Sequence, residues 1–127
     1  MDKPNNVVKV KATIGIDLFK KWFIFLKPFH NLTNREIDVI ACLTKERYEL
    51  SKAISDETLL DKVVMSDDTK RKVREECGIT LPHFQVIMSK LKKSQVIVDN
   101  KINPCYIPIF KPGDTTFSVL FYYNLQT

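Results

Sequence analysis

Apolar positions change their spacing several times along this chain, and each change marks an element. VVKVKATI, residues 7–14, alternates and is rich in β-branched residues, which predicts a strand. In DLFKKWFIFLK, Leu18, Trp22, Phe25 and Leu26 share one face at helical spacing and Asp17 is placed to cap. This predicts a helix ended by Pro28, with a second strand as the alternative reading.

LTNREIDVIACL carries the clearest local signal. Thr33 and Glu36 make a T-x-x-E capping box, and Leu32 and Ile37 are spaced for a hydrophobic staple. Ile37, Ile40, Ala41 and Thr44 then follow one face. DETLLDKVV predicts a short helix. SDDTKRKVREECG predicts another, capped by Ser66 or Asp67, with Val73 and Cys77 inward and Gly78 as its stop. In GITLPHFQVIMSKLKK, Thr80 caps, Pro82 is tolerated in the first turn, and Phe84, Ile87, Met88 and Leu91 form the buried stripe. The expected core joins Ile37, Ile40, Val73, Phe84, Ile87 and Leu91. QVIV, CYIPIF and FSVLFYY read as strands, separated by the turn-like DNKINP and KPGDTT. Phe117, Val119, Phe121 and Tyr123 alternate with Ser118, Leu120 and Tyr122, a pattern that predicts a last strand covered on both faces.

A helix, a glycine turn, a second helix and a hairpin make the winged helix-turn-helix order. The expected fold is therefore α+β: a winged helix-turn-helix with an N-terminal strand and helix and a C-terminal β-hairpin wing. One domain would fill residues 1–127, with a strand and helix extension at 1–30, a helical core at 31–94 and wing strands at 95–127. A chain of 127 residues is long enough for one core and too short for two.

Composition agrees with a soluble globular domain, at 44% hydrophobic and 28% charged residues. The apolar run WFIFL is far too short to span a bilayer and nothing before it reads as a signal peptide, so no membrane partner is expected. The net charge of +5 is unevenly placed. Residues 1–30 carry six lysines and two acids, residues 31–78 nine bases and eleven acids, and residues 79–127 five lysines and two acids. Basic ends could meet nucleic acid or an acidic protein, although a surplus this small also suits a solvated surface.

Little in the chain points to catalysis or a cofactor. Cys42, Cys77 and Cys105 are odd in number and contain no CxxC, which reads as reduced thiols inside a cell. His30 and His83 have no ligand-type residue at metal spacing, so no metal site is expected. Three glycines cannot make a phosphate loop, and no nucleophile–base arrangement is legible. No catalytic residue and no cofactor are assigned, and an enzyme is the least supported class. The basic run KRKVR, residues 70–74, lies among Asp67, Asp68, Glu75 and Glu76, which would repel phosphate and pair with it internally.

The helix of residues 80–93 is the candidate site. With Phe84 and Leu91 inward, its outer face is Pro82, Val86, Ser89 and Lys93, with Lys90 alongside and His83 and Gln85 on the flanks. Reading base edges calls for Arg or Lys on guanine and Asn or Gln on adenine, and this centre is apolar to small. Lys90, Lys92, Lys93 and Lys101 could touch phosphates, which gives salt-sensitive affinity without sequence discrimination.

LTNREIDVIACL resembles the first helix of many helix-turn-helix proteins, including the terminal domain of LuxR-type regulators. The longer pattern NLTNREIDVIACL, KRKVREECGITLPHFQVIMSKLKKSQVI and DNKINPCYI is similar to small winged-helix proteins of tailed phages, notably crAss-like phages, over residues 31–107. In that family the helix after the glycine tends to be more polar, and a basic pair precedes the wing where Lys92 and Lys93 stand here. The resemblance implies a phage origin more firmly than a role, because fold does not fix function.

Two functions follow as expectations. The first is a non-enzymatic virion component that packs against other virion proteins or copies of itself, found in the virion and, during assembly, in the host cytoplasm. LFKKWFIFL and FSVLFYY carry more apolar surface than a minimal winged helix needs, which favours it, although both ends could instead pair in one sheet and complete the core. The second is a DNA-binding regulator that places the helix of residues 80–93 in the major groove. A weak contact with duplex DNA is compatible with either.

Overall fold

Thr33 opens the longest helix of the computed structural model, which describes residues 7–127. Its hydroxyl accepts from Glu36 N–H at 3.3 Å, while Glu36 Oε1 accepts from Thr33 N–H at 2.9 Å. Two helix donors that would otherwise lack partners are thereby satisfied. Leu32 and Ile37 are buried on either side of this cap, as the staple requires.

Six helices precede a small hairpin. They are α1 (Ile16–Phe25), α2 (Lys27–His30), α3 (Asn34–Ser51), α4 (Glu57–Val64), α5 (Asp67–Cys77) and α6 (Leu81–Lys93). β1 (Ile97–Val98) and β2 (Lys101–Ile102) pair antiparallel, Ile97 opposite Ile102 and Val98 opposite Lys101. Asp99 and Asn100 take φ of 54° and 56°. Positive φ at both central residues gives a two-residue turn whose twist matches the strands, and Asp and Asn tolerate that conformation. A 3-10 turn, Pro104–Tyr106, follows. The fold is α+β, mostly helical, with its only sheet among the described residues towards the C-terminus.

The hub is α3, which packs against α1, α4, α5 and α6. Val39, Ile40, Ala41, Cys42, Leu43 and Thr44 are all buried, so the middle of α3 is covered on every side rather than along the single expected stripe. Thr44 meets this environment by donating its hydroxyl to the Ile40 carbonyl at 2.7 Å. The expected core of Ile37, Ile40, Val73, Phe84, Ile87 and Leu91 is buried throughout. Ser66, rather than Asp67, caps α5, accepting from Thr69 N–H. Gly78 stops α5 at φ 63°, a conformation costly for most side chains with a Cβ other than Asn and Asp.

The chain ends differ from expectation. Residues 7–13 form no strand and are exposed; among the described residues no strand pairs with them, and alternation alone does not make a sheet. In α1 the buried side chains are Phe19, Trp22 and Phe23, with Leu26 buried just past its end; Trp22 and Leu26 lie inward as expected, but Phe25 is 56% exposed, so the inner face is turned towards Phe19 and Phe23. IDLFKKWFIF is apolar on most of its circumference, and its neighbours decide which side goes in. Asp17 does not occupy the cap position, which Gly15 holds; its carboxylate accepts from Thr13 N–H at 3.0 Å. Pro28 lies in the first turn of α2, where its missing N–H costs nothing.

CYIPIF and FSVLFYY are not strands either. Residues 107–127 run back over α1 and α3 without regular structure, held by rings. Trp22 Nε1 donates to the Tyr106 carbonyl at 2.8 Å, Phe117 meets the Trp22 and Phe110 rings at 5.8 and 5.3 Å, and Phe110 meets Tyr48 at 4.9 Å. The two faces expected to be covered are largely open: Leu120, Tyr122 and Tyr123 are exposed. The hairpin is consequently confined to two residues in each strand.

Candidate interaction surface

The three-residue connection from Gly78 to Thr80 turns the chain from α5 into α6. Thr80 Oγ1 accepts from His83 N–H at 3.3 Å and Pro82 sits in the first turn, so the helix starts where its sequence dictates. Phe84, Ile87, Met88 and Leu91 are buried, which fixes the rotation of α6 about its axis. Pro82, His83, Gln85, Val86, Ser89, Lys90, Lys92 and Lys93 are therefore all exposed, Val86 by 67%. The hairpin follows directly, tied by Val96 N–H to the Leu91 carbonyl and by Asn103 Nδ2 to the Gln95 carbonyl. Lys101 lies on β2 and is half-buried, less open than the α6 lysines.

Charge pairing separates α6 from α5. Within the run of residues 70–74, Arg71 bonds Asp68 at 3.0 Å and Lys72 bonds Glu46 at 3.1 Å. Glu46 is buried and receives Lys45 at 3.8 Å as well. Among the described residues, no carboxylate lies within ion-pair distance of Lys90, Lys92, Lys93 or Lys101. Three lysines in the last turn of α6 also complement the negative end of the helix dipole, a structural role that needs no ligand.

A second surface was only partly legible in the sequence. Phe121 stacks on Phe29 at 5.9 Å with 8° between the ring planes, and lies 5.6 Å from Phe25. Phe25 and Phe29 remain more than half exposed, as do Leu120, Tyr122, Tyr123 and Leu125 nearby in the chain. The excess of aromatic residues at both ends was visible beforehand. Their meeting was not, because it depends on the return of residues 107–127 over α1.

The histidines and cysteines are placed by packing. His30 is buried; its Nδ1 accepts from Leu32 N–H at 3.0 Å, so Nε2–H donates to the Phe23 carbonyl at 2.7 Å. Burial holds its pKa below the ordinary value, against the Phe23 bond and with a smaller push from Lys27. His83 is exposed on α6, remote in sequence. Cys42 and Cys77 are brought together from α3 and α5, a proximity that 35 residues of separation conceal. Beside them Lys45 donates to Glu76 at 2.6 Å. Burial raises the Glu76 pKa, but the hydrogen bonds from Lys45 and Cys42, with the Lys45 and Lys72 charges, outweigh it and leave the carboxyl below its usual range. Among the described residues, no group of three His, Cys, Asp or Glu side chains is arranged to hold a metal ion, and no helix is long and apolar enough to cross a membrane. No protein-family model, curated protein or solved structure matches the chain.

Proposed function

We propose that the chain is a non-enzymatic structural or assembly component of a phage virion, using a winged-helix scaffold to pack against other virion proteins or copies of itself. The observation that carries this reading is uncovered apolar surface. Val86 stands open at the centre of the outward face of α6, and Phe25, Phe29 and Phe121 form a contiguous, largely open ring cluster. Contiguous apolar surface of this kind marks protein contacts. The winged-helix assignment is supported by the order α3, α5, three-residue turn, α6 and hairpin. The phage origin rests on the resemblance of residues 31–107 to small proteins of crAss-like phages. The virion, and the host cytoplasm during assembly, are the corresponding locations.

The test is the protein content of purified particles. Mass spectrometry should find the chain at a fixed copy number relative to the capsid protein. Its absence from particles made by infected cells that express it would overturn the reading.

One observation favours a DNA-binding regulator instead: the α6 lysines lack carboxylate partners among the described residues. Three or four phosphate contacts would bind duplex DNA weakly at physiological salt, with a correspondingly shallow salt dependence. The central Val86 and Ser89 offer no bidentate group to a base edge. Binding of random duplex as tight as that of any selected sequence is the expected result.

A further inference from the structure

The sulfur atoms of Cys42 and Cys77 lie 3.5 Å apart, and both thiols are free. They sit at the wall of a surface groove bordered by Arg35, Asp38, Lys45 and Glu76. Cys42 is buried and Cys77 half-buried, so a small reagent entering the groove reaches Cys77 first. A disulfide places its sulfurs about 2.05 Å apart, so closure asks for a movement of about 1.5 Å shared between two side chains.

We propose that Cys42 and Cys77 are a redox-active dithiol, oxidised to an intramolecular disulfide by a small-molecule disulfide of the glutathione class. In the first step the Cys77 thiolate attacks one sulfur of oxidised glutathione. The glutathione S–S bond breaks, and one glutathione leaves as its thiolate and takes a proton from water. In the second, Cys42 gives its proton to solvent and attacks the Cys77 sulfur of the mixed disulfide, expelling the second glutathione thiolate. The protein loses two protons and two electrons, and one glutathione disulfide becomes two glutathione thiols.

The surroundings assign the two roles. The hydrogen bond from Cys42 favours the Cys77 thiolate and holds its pKa below the ordinary thiol value. That bond outweighs burial and the Asp38 charge; Arg35 assists and Glu76 opposes. The Cys42 thiol is pushed strongly upward, first by sharing that bond and then by burial, with Glu76 adding to both. Cys77, the sulfur more open to the groove, is the attacking one, and Cys42, buried behind it, the resolving one. The bond would join the hub helix α3 to the end of α5, just before the turn into α6. This inference stands whether α6 meets protein or DNA.

The experiment uses the full chain carrying Cys105→Ser, which removes the exposed third thiol. Incubation in buffers of reduced and oxidised glutathione, followed by acid quenching and mass spectrometry, should show a loss of two hydrogens and a peptide pair linked through Cys42 and Cys77. The melting temperature should rise on the order of 10 °C on oxidation and return with dithiothreitol, because the link closes a long loop. Cys42→Ala should trap glutathione on Cys77. The proposal is overturned if Cys42 and Cys77 stay free thiols in the folded chain, if they link only in denaturant, or if oxidation stops at a stable glutathione adduct. The Cys105→Ser measurement decides this even if Cys42→Ala fails to fold.

Discussion

Residues 31–102 and the two chain ends follow opposite logic. In the helical region every local signal has a partner at the next level. Thr33, Asp56, Ser66 and Thr80 each accept from helix N–H groups, and the stripes that follow them are buried. At the ends the apolar pattern is equally strong, but beyond the buried Phe19, Trp22, Phe23 and Leu26 much of it meets nothing comparable. Val7, Val8 and Val10 are exposed, and so are Leu120, Tyr122, Tyr123 and Leu125. A helix satisfies its backbone within one segment, whereas a strand needs a neighbour.

Substitution at Phe84 is the strongest way to break this comparison. Phe84 is 3% exposed, at the contact of α6 with the core. Phe84→Ala should cost roughly 3–5 kcal/mol through lost burial and a cavity. Tyr123→Ala, a large aromatic truncated in an 88% exposed position, should change stability by less than about 0.5 kcal/mol. Chemical denaturation of both variants checks the pair; equal losses would erase the distinction between core and ends.

How much of this was readable beforehand divides along the same line. The start of α3, the rotation of α6 and the stop at Gly78 depend on residues within a few positions of each other, and they were legible. The inner face of α1 was not, because Phe19, Trp22, Phe23 and Phe25 are all apolar and the choice among them is made by α3, Tyr106 and Phe110. The strands expected at residues 7–14, 105–110 and 117–123 failed because β-branched and aromatic alternation records a preference, not a partner. The candidate face on α6 was legible in full; the meeting of Phe121 with Phe25 and Phe29, and of Cys42 with Cys77, was not, since each joins distant segments.

Capping gives a smaller effect on the helical side. Thr33→Ala removes one side of a reciprocal box and should lower stability by about 1 kcal/mol. An unchanged denaturation midpoint would show that Leu32 and Ile37, rather than the hydroxyl, hold the start of α3.

Acid should probe the junction between the two regions, where His30 links α1 to the start of α3. The folded chain holds His30 below the ordinary value of 6.5, chiefly by burial, so it binds a proton less readily than the unfolded chain. Its contribution to stability is therefore complete above about pH 6.5 and is lost as the pH falls from there towards the folded pKa. The new proton would sit on Nδ1, facing Leu32 N–H. Melting temperatures across this window should fall more steeply for the wild type than for His30→Asn, and parallel slopes would remove His30 from the account.

Val86→Glu should have the smallest effect on folding and the sharpest effect on the proposed function. Val86 lies two residues from Phe84 on the same helix, yet is 67% exposed. An exposed helix position accepts Glu, so stability should stay within about 0.5 kcal/mol of the wild type. A close-packed interface does not accept an unpaired carboxylate, so incorporation of the variant into particles should fail. The regulator reading expects another pattern: nanomolar binding to a defined DNA site, weakened by changing Gln85 and Lys93, with particles unaffected by Val86→Glu. Because the isolated domain stays folded in either case, the two outcomes report on what meets α6 and not on whether α6 is there. Normal particles from the Val86→Glu variant, together with such a DNA site, would transfer this surface from protein packing to DNA.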